Sequence, residues 1–441
     1  MSTPDADLYA TRRKRVLDAL GEDAALVLPA APELHAGRDL ELRYRPDPDL
    51  YYLTGYTEPD AVLVLAPGSD DGAYTLFVRP RDPDRERWTG ARGGPEAATE
   101  LYGADVAYTL DELDKRLPKM LSRVETLYYP LGSGHSRAES IVRHTLERAR
   151  MLRQRTGVGP RFLADPGVIL DEMRLVKDAR ELDLLREACR ITAESFIEAA
   201  AAIRPDAGEW EVEAALEAAF RSRGAEGVGF ATIVGSGANA TVLHYIDNDR
   251  RMRDGELLLI DAGARYRAYN GDISRTFPVS GRFSAVQRDV YDAVLEAHDR
   301  AIDAIRPGAS TEDVHLAALR VLVDAMISLG LLEGDVDQII EEKKYRPYYP
   351  HQTSHWLGLD VHDVGNYAIR GEARLLEPGM VLTVEPGLYI PEDAEGAPEA
   401  LRGIGIRIED DVAVTEAGRE ILTAAIPAAA DRIEALPGRT G

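Results

Sequence analysis

The stretch HQTSHWLGLDVHD, residues 351–363, puts His351, His355 and His362 within twelve positions of a chain that has nine histidines. Imidazole titrates near neutrality and is the commonest metal ligand. A cluster this dense is therefore either a metal and proton-handling site or a product of packing. Chemistry at such a site needs carboxylate partners, and the neighbouring segments supply four.

In ELLLIDAGARYRAYNGDISRTFPV two period-two runs flank a Gly- and Asn-containing turn centred near Tyr266 and Arg267, a register that sets Asp261 opposite Asp272. Directly opposed residues of an antiparallel pair have Cβ atoms about 4.5–5.5 Å apart, and like charges there destabilise the pair unless a cation lies between them. In MVLTVEPGLYI the alternation puts Val381, Thr383 and Glu385 on one face, with Pro386 and Gly387 ending the strand just after the acid. In RGIGIRIEDDVAV it sends Ile404, Ile406 and Ile408 one way and Gly403, Gly405, Arg407 and Glu409 the other, the glycines clearing space. Taken singly, each acid also reads as surface or as half of a structural ion pair. Together, two aspartates, two glutamates and one histidine make a hard, oxygen-rich set that suits Mn²⁺ or a similar divalent ion better than a thiolate-type zinc site would. Four carboxylate charges balance two dications. A metal pair about 3.5–4 Å apart activates water and clamps a hydrolytic transition state, so hydrolysis is the implied reaction. Spacing by four or seven does not say which of His351, His355 and His362 is the ligand.

The elements that must carry these residues fall into two groups. The first third alternates short apolar runs, AALVLPA, AVLVLAP, YTLFVRP and TLYYP, with helical patterns, which predicts an α/β domain. From Asp178 the period changes to that of long amphipathic helices, DARELDLLREACRITAESFIEAAAAI and AVQRDVYDAVLEAHDRAIDAI. The period-two segments holding the acids follow, which predicts an α+β domain with an antiparallel sheet and a boundary near residue 172. There is no tandem repeat and no low-complexity tract.

Composition excludes other classes. Apolar residues make up 45% of the 441, with no run of eighteen or more, so a membrane span is not expected. A formal net charge of −24 repels phosphate backbones and anionic membrane surfaces, so nucleic acid is not an expected partner. The start, MSTPDADLYATRRKR, is charged and has no apolar h-region, which predicts a cytoplasmic protein. The one cysteine, Cys189, sits in a helical pattern and reads as an inert buried thiol.

The ordered motifs IDAG and NGDISRTF, SHWLGLDVHD, LTVEPGLYI and GIGIRIEDD, with the junction EMRLVKDARE and the stretch TIVGSGANATVLHY, resemble the dinuclear metallopeptidases of the pita-bread fold, and within them the aminopeptidase P branch. The resemblance covers nearly the whole chain. It implies an α/β, creatinase-like N-terminal domain over 1–172 and an α+β pita-bread catalytic domain over 173–441. It also implies that Asp261, Asp272, His355, Glu385 and Glu409 hold two Mn²⁺ ions, with Co²⁺ or Zn²⁺ as substitutes. Asp272 and Glu409 would span the ions, with Asp261 on one, His355 on the other and Glu385 near both.

His244 and His362 would hydrogen-bond the substrate carbonyl and the tetrahedral intermediate, and His351 would line the proline pocket. Arg407 would orient Glu409 or its neighbours through a bidentate contact, Tyr389 would complete that network, and Trp88 in RERWTG would add an aromatic near the substrate. The implied activity is cleavage of the N-terminal Xaa-Pro bond of peptides by a metal-bridging hydroxide, with Glu385 managing the proton. The implied assembly is a homo-oligomer, tetramer or dimer. Proline makes a tertiary amide with no N–H, so such an enzyme needs a tailored pocket.

The nearest rival is prolidase, the dipeptidase that shares all five ligands; the HWLGLDVHDVG and YRPYY contexts and the full first domain favour the aminopeptidase. A non-catalytic peptide-binding module, or a creatinase working without metals, would have lost ligands that are all present here. Methionine aminopeptidase generally lacks the large first domain. A serine hydrolase would need G-x-S-x-G, and VGSGAN and LGSGHS lack that spacing.

Overall fold

A computed structural model describes residues 6–38, 40–132, 134 and 136–436. Met1–Asp5 of the charged start, and Ser133 and His135 of LGSGHS, lie outside these. The chain divides into two compact units, Met1–Glu172 and Met173–Gly441.

The first unit is α/β and is built on a six-stranded sheet. Across it run Val106–Thr109, Tyr74–Val78, Val62–Leu65, Ala24–Pro29, Thr126–Tyr128 and Phe162–Ala164. The three runs AALVLP, VLVL and YTLFV are buried along their whole length, as apolar runs covered on both faces must be. The pairing is mixed: Ala24–Pro29 is antiparallel to Val62–Leu65 and parallel to Thr126–Tyr128. Leu113, Leu117 and Met120 of one helix and Ala138, Ile141 and Val142 of another pack onto Val27, Val62 and Val64.

The second unit is α+β. Its helices Ala179–Ala199, Ala285–Ala304 and Thr311–Ser328 each start from a capping box: Asp178 with Glu181, Ser284 with Gln287, and Ser310 with Asp313. Their apolar stripes, including Ile191, Phe196, Tyr291, Val294 and Leu322, merge with Phe277, Trp356, Leu382 and Ile406 into one core. The strand pairs formed here among the described residues are antiparallel.

Two features of the sheet differ from the sequence-based expectation. Asp261 pairs with Ser274, not with Asp272. The turn is one residue later than expected, on Arg267 and Ala268, both with positive φ (46° and 68°), and moving a turn centre by one residue shifts the pairing by two. A tight hairpin of this kind normally carries Asn or Gly at those positions. Here the glycines serve close approach instead: a Cβ on Gly263 would meet the Gly271 carbonyl oxygen at 1.7 Å. A shift of two keeps both aspartates on one face, so they still converge.

The second difference is that RGIGIRIEDDVAV is not one strand; the strand end expected at Pro386 and Gly387, just after Glu385, is found. MVLTVEPGLYI splits into Val381–Val384 and Gly387–Ile390, and GIGIRIEDDVAV into Ile404–Arg407 and Asp410–Thr415. Register is continuous across the gap, because Val384 pairs with Asp410 and Gly387 with Arg407. Glu385 and Glu409 therefore oppose each other where the ladder is interrupted. Their N–H groups leave the ladder, that of Glu385 for the Thr353 carbonyl (2.8 Å) and that of Glu409 for the Ser274 carbonyl (3.0 Å).

Candidate metal centre

The histidine motif reaches the acids because it runs beside Val381–Val384 as a further edge. The N–H of Thr383 donates to the His355 carbonyl (2.9 Å), and the N–H of Leu357 donates to Val381 (3.0 Å). The strand Leu257–Ala262 brings Asp261, and Asp272 sits immediately before Ile273–Pro278. Asp261, Asp272, His355, Glu385 and Glu409 thus line one cavity of about 520 Å³, together with His244, His351, His362 and Arg407. Asp272, His355 and Glu409 each offer a ligand atom, all within 4.8 Å of one another.

The tautomer of His355 follows from its neighbours. Its Nδ1 lies 3.0 Å from the Trp356 carbonyl, which can only accept, so Nδ1 carries the hydrogen and Nε2 keeps its lone pair. That lone pair faces Asp272 Oδ2 at 3.5 Å and Glu385 Oε1 at 3.7 Å. Asp261 Oδ1 and Asp272 Oδ1 are buried with no hydrogen-bond partner.

The carboxylates of the cluster repel one another. Burial pushes the Asp272 carboxyl well above its ordinary range, and Asp261, Asp411 and Glu385 push it further. Glu409 is raised well above by burial and then by Asp272, Glu385 and Asp261. Burial lifts Glu385 to about 7 against the opposing pull of His355 and Arg407. Orphaned carboxylate oxygens, an imidazole lone pair and mutual repulsion are the complement of hard divalent cations, so these residues fit a metal pair.

A layer around the cluster fixes it. Arg407 Nη2 donates to Asp261 Oδ2 (2.5 Å), its Nε to Ser274 Oγ (2.8 Å) and its Nη1 to the Tyr389 hydroxyl (3.0 Å). Ser274 Oγ donates in turn to Glu409 Oε2 (2.8 Å). The expected bidentate grip on one carboxylate is absent; the guanidinium divides its donors between Asp261, Tyr389 and, through Ser274, Glu409. His351 Nδ1 lies 2.8 Å from the Gln352 carbonyl and its Nε2 lies 2.9 Å from the Tyr389 hydroxyl. Burial and Arg407 lower its pKa to about 4, so the ring is neutral and accepts from Tyr389. His362 stacks edge-on to His355 with centroids 4.4 Å apart, and burial, then His355 and His244, lower its pKa.

Sequence reasoning missed Ser274 and Asp411. Asp411 is fully buried and its Oδ2 accepts from the Asp272 N–H (2.9 Å) and the Cys189 thiol (3.1 Å). The cysteine is fully buried, and burial together with Asp411 holds its pKa well above the ordinary thiol value. The period-two alternation that flagged Glu409 sets Asp411 on the same face, a signal the sequence did contain. The space cleared by Gly405 is taken by backbone: a Cβ there would meet the Ala240 carbonyl oxygen at 2.1 Å. Trp88 belongs to the first unit, on the helix Pro83–Thr89, with its side chain region 89% exposed.

Fold and cluster together define a carboxylate-rich centre fit for a pair of divalent ions. The family model of metallopeptidase family M24 matches residues 183–416, and that of the aminopeptidase P N-terminal domain matches residues 9–128. The chain belongs to metallopeptidase family M24. It is 43% identical over 437 residues to an Xaa-Pro aminopeptidase of Escherichia coli, covering 99% of this chain and 98% of that one. It is 34% identical to human Xaa-Pro aminopeptidase 3, covering 97% and 85%. Among solved structures, Pseudomonas aeruginosa aminopeptidase PepP superposes with a TM-score of 0.94 at 43% identity, covering 99% and 98%. An Escherichia coli aminopeptidase P variant in complex with substrate gives 0.93 at 42% identity, with the same coverage. A zinc-substituted form of that enzyme in complex with product gives 0.93 at 43% identity.

Proposed function

We propose that the chain is an Xaa-Pro aminopeptidase that releases the first residue from peptides with proline second. The observation that carries this reading is the convergence of Asp261, Asp272, His355, Glu385 and Glu409 with three further histidines in one cavity. The full-length similarity to enzymes of that name supports the substrate class. Asp261, Asp272, His355, Glu385 and Glu409 would hold two divalent ions, Mn²⁺ in our reading. Bound there, the ions would acidify a water molecule and polarise the scissile carbonyl.

The chain's own residues do the rest. Glu385 takes the proton from the attacking water at a carboxylate oxygen as the oxygen–carbon bond forms. It then delivers that proton to the proline nitrogen as the C–N bond breaks. His362 and His244 donate N–H to the carbonyl oxygen as it gains charge. His351 cannot do so, since its Nδ1 hydrogen is committed to Gln352 and its Nε2 to Tyr389. It acts as a fixed wall of the proline pocket, and Arg407 holds the Asp261 carboxylate in place.

We further propose a cytoplasmic homo-oligomer, tetramer or dimer, with Trp88 of the creatinase-like first domain contributing to substrate binding. No helix among the described residues is long and apolar enough to cross a membrane. The deciding experiment compares Xaa-Pro with Xaa-Pro-Yaa peptides, after chelation and with Mn²⁺ restored. Cleavage of the tripeptide only with metal is expected; cleavage of the dipeptide alone makes the protein a prolidase.

A further inference from the structure

His244 lies on a segment that has little regular structure to hold it. A 3₁₀ turn ends at Thr241, no helix or strand follows until Leu257, and the residue is exposed on the cavity wall. An imidazole that must meet a carbonyl oxygen within a few tenths of an ångström needs a fixed backbone.

The fixing group is Glu209, the first residue of helix Glu209–Ser222, whose side chain is fully buried. Its Oε1 accepts from the Ser236 N–H (2.7 Å), the Ser236 hydroxyl (2.7 Å) and Asn239 Nδ2 (3.3 Å). Its Oε2 accepts from the Tyr245 hydroxyl (2.9 Å) and the Arg250 N–H (2.9 Å). Its own N–H donates to the Arg250 carbonyl (2.9 Å). An acid at a helix start ordinarily turns back onto its own helix N–H groups. Glu209 instead spends both oxygens on a different segment, gripping its beginning, its end and the residue next to His244.

We infer that Glu209 is a positioning residue for His244, clamping Ser236–Arg250 so that the imidazole is presented to the substrate carbonyl. The inference rests on the proposed role of His244. The surroundings agree. Arg250 Nη1 bonds the Ser236 hydroxyl (2.8 Å) and Glu256 Oε2 (2.7 Å), which places a paired cation beside the clamp. Asn248, held at φ 47°, accepts from the Val234 N–H (2.9 Å). Ala240 packs its carbonyl onto Gly405, so the segment is seated on the strand that leads to Arg407. Glu209 touches neither the proposed ligands nor the substrate, and its effect must pass through the segment.

The test is a double-mutant cycle with a physical readout beside it. Glu209→Gln turns an NH₂ group towards the Tyr245 and Arg250 donors, and Tyr245→Phe deletes one donor at little cost in volume. Each is combined with His244→Ala, and kcat and KM are measured on an Xaa-Pro-Yaa tripeptide with Mn²⁺. Misplacing a catalytic group by about 1 Å costs up to roughly 10²-fold. We therefore expect each single variant to lose roughly 10- to 100-fold in kcat with KM little changed. On the His244→Ala background the further loss should fall to roughly twofold or less, because coupled residues are not additive. Amide hydrogen exchange over 236–250 should be faster in both variants.

An equal loss on both backgrounds, no loss at all, or unchanged exchange overturns the inference. If Glu209→Gln does not fold, Tyr245→Phe decides by the same criteria. If the wild-type protein cleaves no Xaa-Pro peptide, the proposed function fails separately, and the exchange measurement still decides whether Glu209 clamps the segment.

Discussion

Asp363, the residue after His362, gives the sharpest test of how the histidine motif is held. Its side chain is 1% exposed, and it accepts from Lys177 Nζ at 2.9 Å and from Arg174 Nη2 at 2.6 Å, cations that are themselves 1% and 4% exposed. Its N–H closes the loop by donating to the Trp356 carbonyl (2.9 Å). Replacing Asp363 by Asn leaves the buried Lys177 facing an amide, while Arg174 keeps Asp360 Oδ2 at 2.8 Å. Removing one partner of a buried pair costs about 3–5 kcal/mol, because the remaining charge is uncompensated. At roughly 2 °C per kcal/mol for a unit of this size, the melting temperature should fall by roughly 6–10 °C. Adding Lys177→Met should return part of the loss, since the stranded charge goes with it.

The pH dependence has a definite sign. Burial alone would raise the Asp363 pKa, but Lys177 and Arg174 outweigh it and the net shift is downward. A depressed carboxylate contributes stability that is complete above its unfolded value of about 3.9 and lost as pH falls through the folded one. The gap between wild type and Asp363→Asn should be full from about pH 5 to 8 and close below about pH 4. Thermal unfolding followed by circular dichroism across that range checks it. A drop under about 2 °C at pH 7, or a gap that widens in acid, refutes the reasoning.

Three further outcomes are expected. His362→Ala should lower kcat by roughly 10²–10³, the usual loss for one oxyanion donor, and a near-normal rate in steady-state kinetics would remove it from that role. Ser274→Ala strands Arg407 Nε and Glu409 Oε2, groups buried at 3% and 2% exposure. It should lower stability by about 1–3 kcal/mol and Mn²⁺ affinity roughly 10-fold, and unchanged titration calorimetry would count against the link. Mn²⁺ at about 100 times its Kd should add about 2.7 kcal/mol to a chelated sample. With Glu385 raised to about 7, the ion-free cluster stabilises fully only below its unfolded value and loses that contribution as pH rises through 7. Metal must also displace those protons, so the thermal shift should be larger at pH 8 than at pH 5.5. Scanning calorimetry showing equal shifts would contradict it.

The sequence carried the acids and histidines of the cavity because strand alternation sorts residues by face without knowledge of register. That is why a two-residue error in pairing Asp261 left the convergence intact. It could not place the turn, since Arg267 and Ala268 hold positive φ without the Gly or Asn that would announce it. Pro386 and Gly387 announced the strand end at Glu385, but nothing announced the matching break at Glu409, whose N–H goes to the Ser274 carbonyl. Contacts such as Ser274 to Glu409 or Glu209 to Tyr245 join residues 135 and 36 positions apart, and no local pattern encodes them. The short strands Val106–Thr109 and Phe162–Ala164, which are half-buried or exposed, are not among the runs picked out.

The gap in the ladder separates architecture from chemistry. At Glu385 and Glu409 the main chain is tied off by partners that are indifferent to which side chain the residue bears. Amide substitutions at both positions should therefore leave the scaffold whole while silencing it.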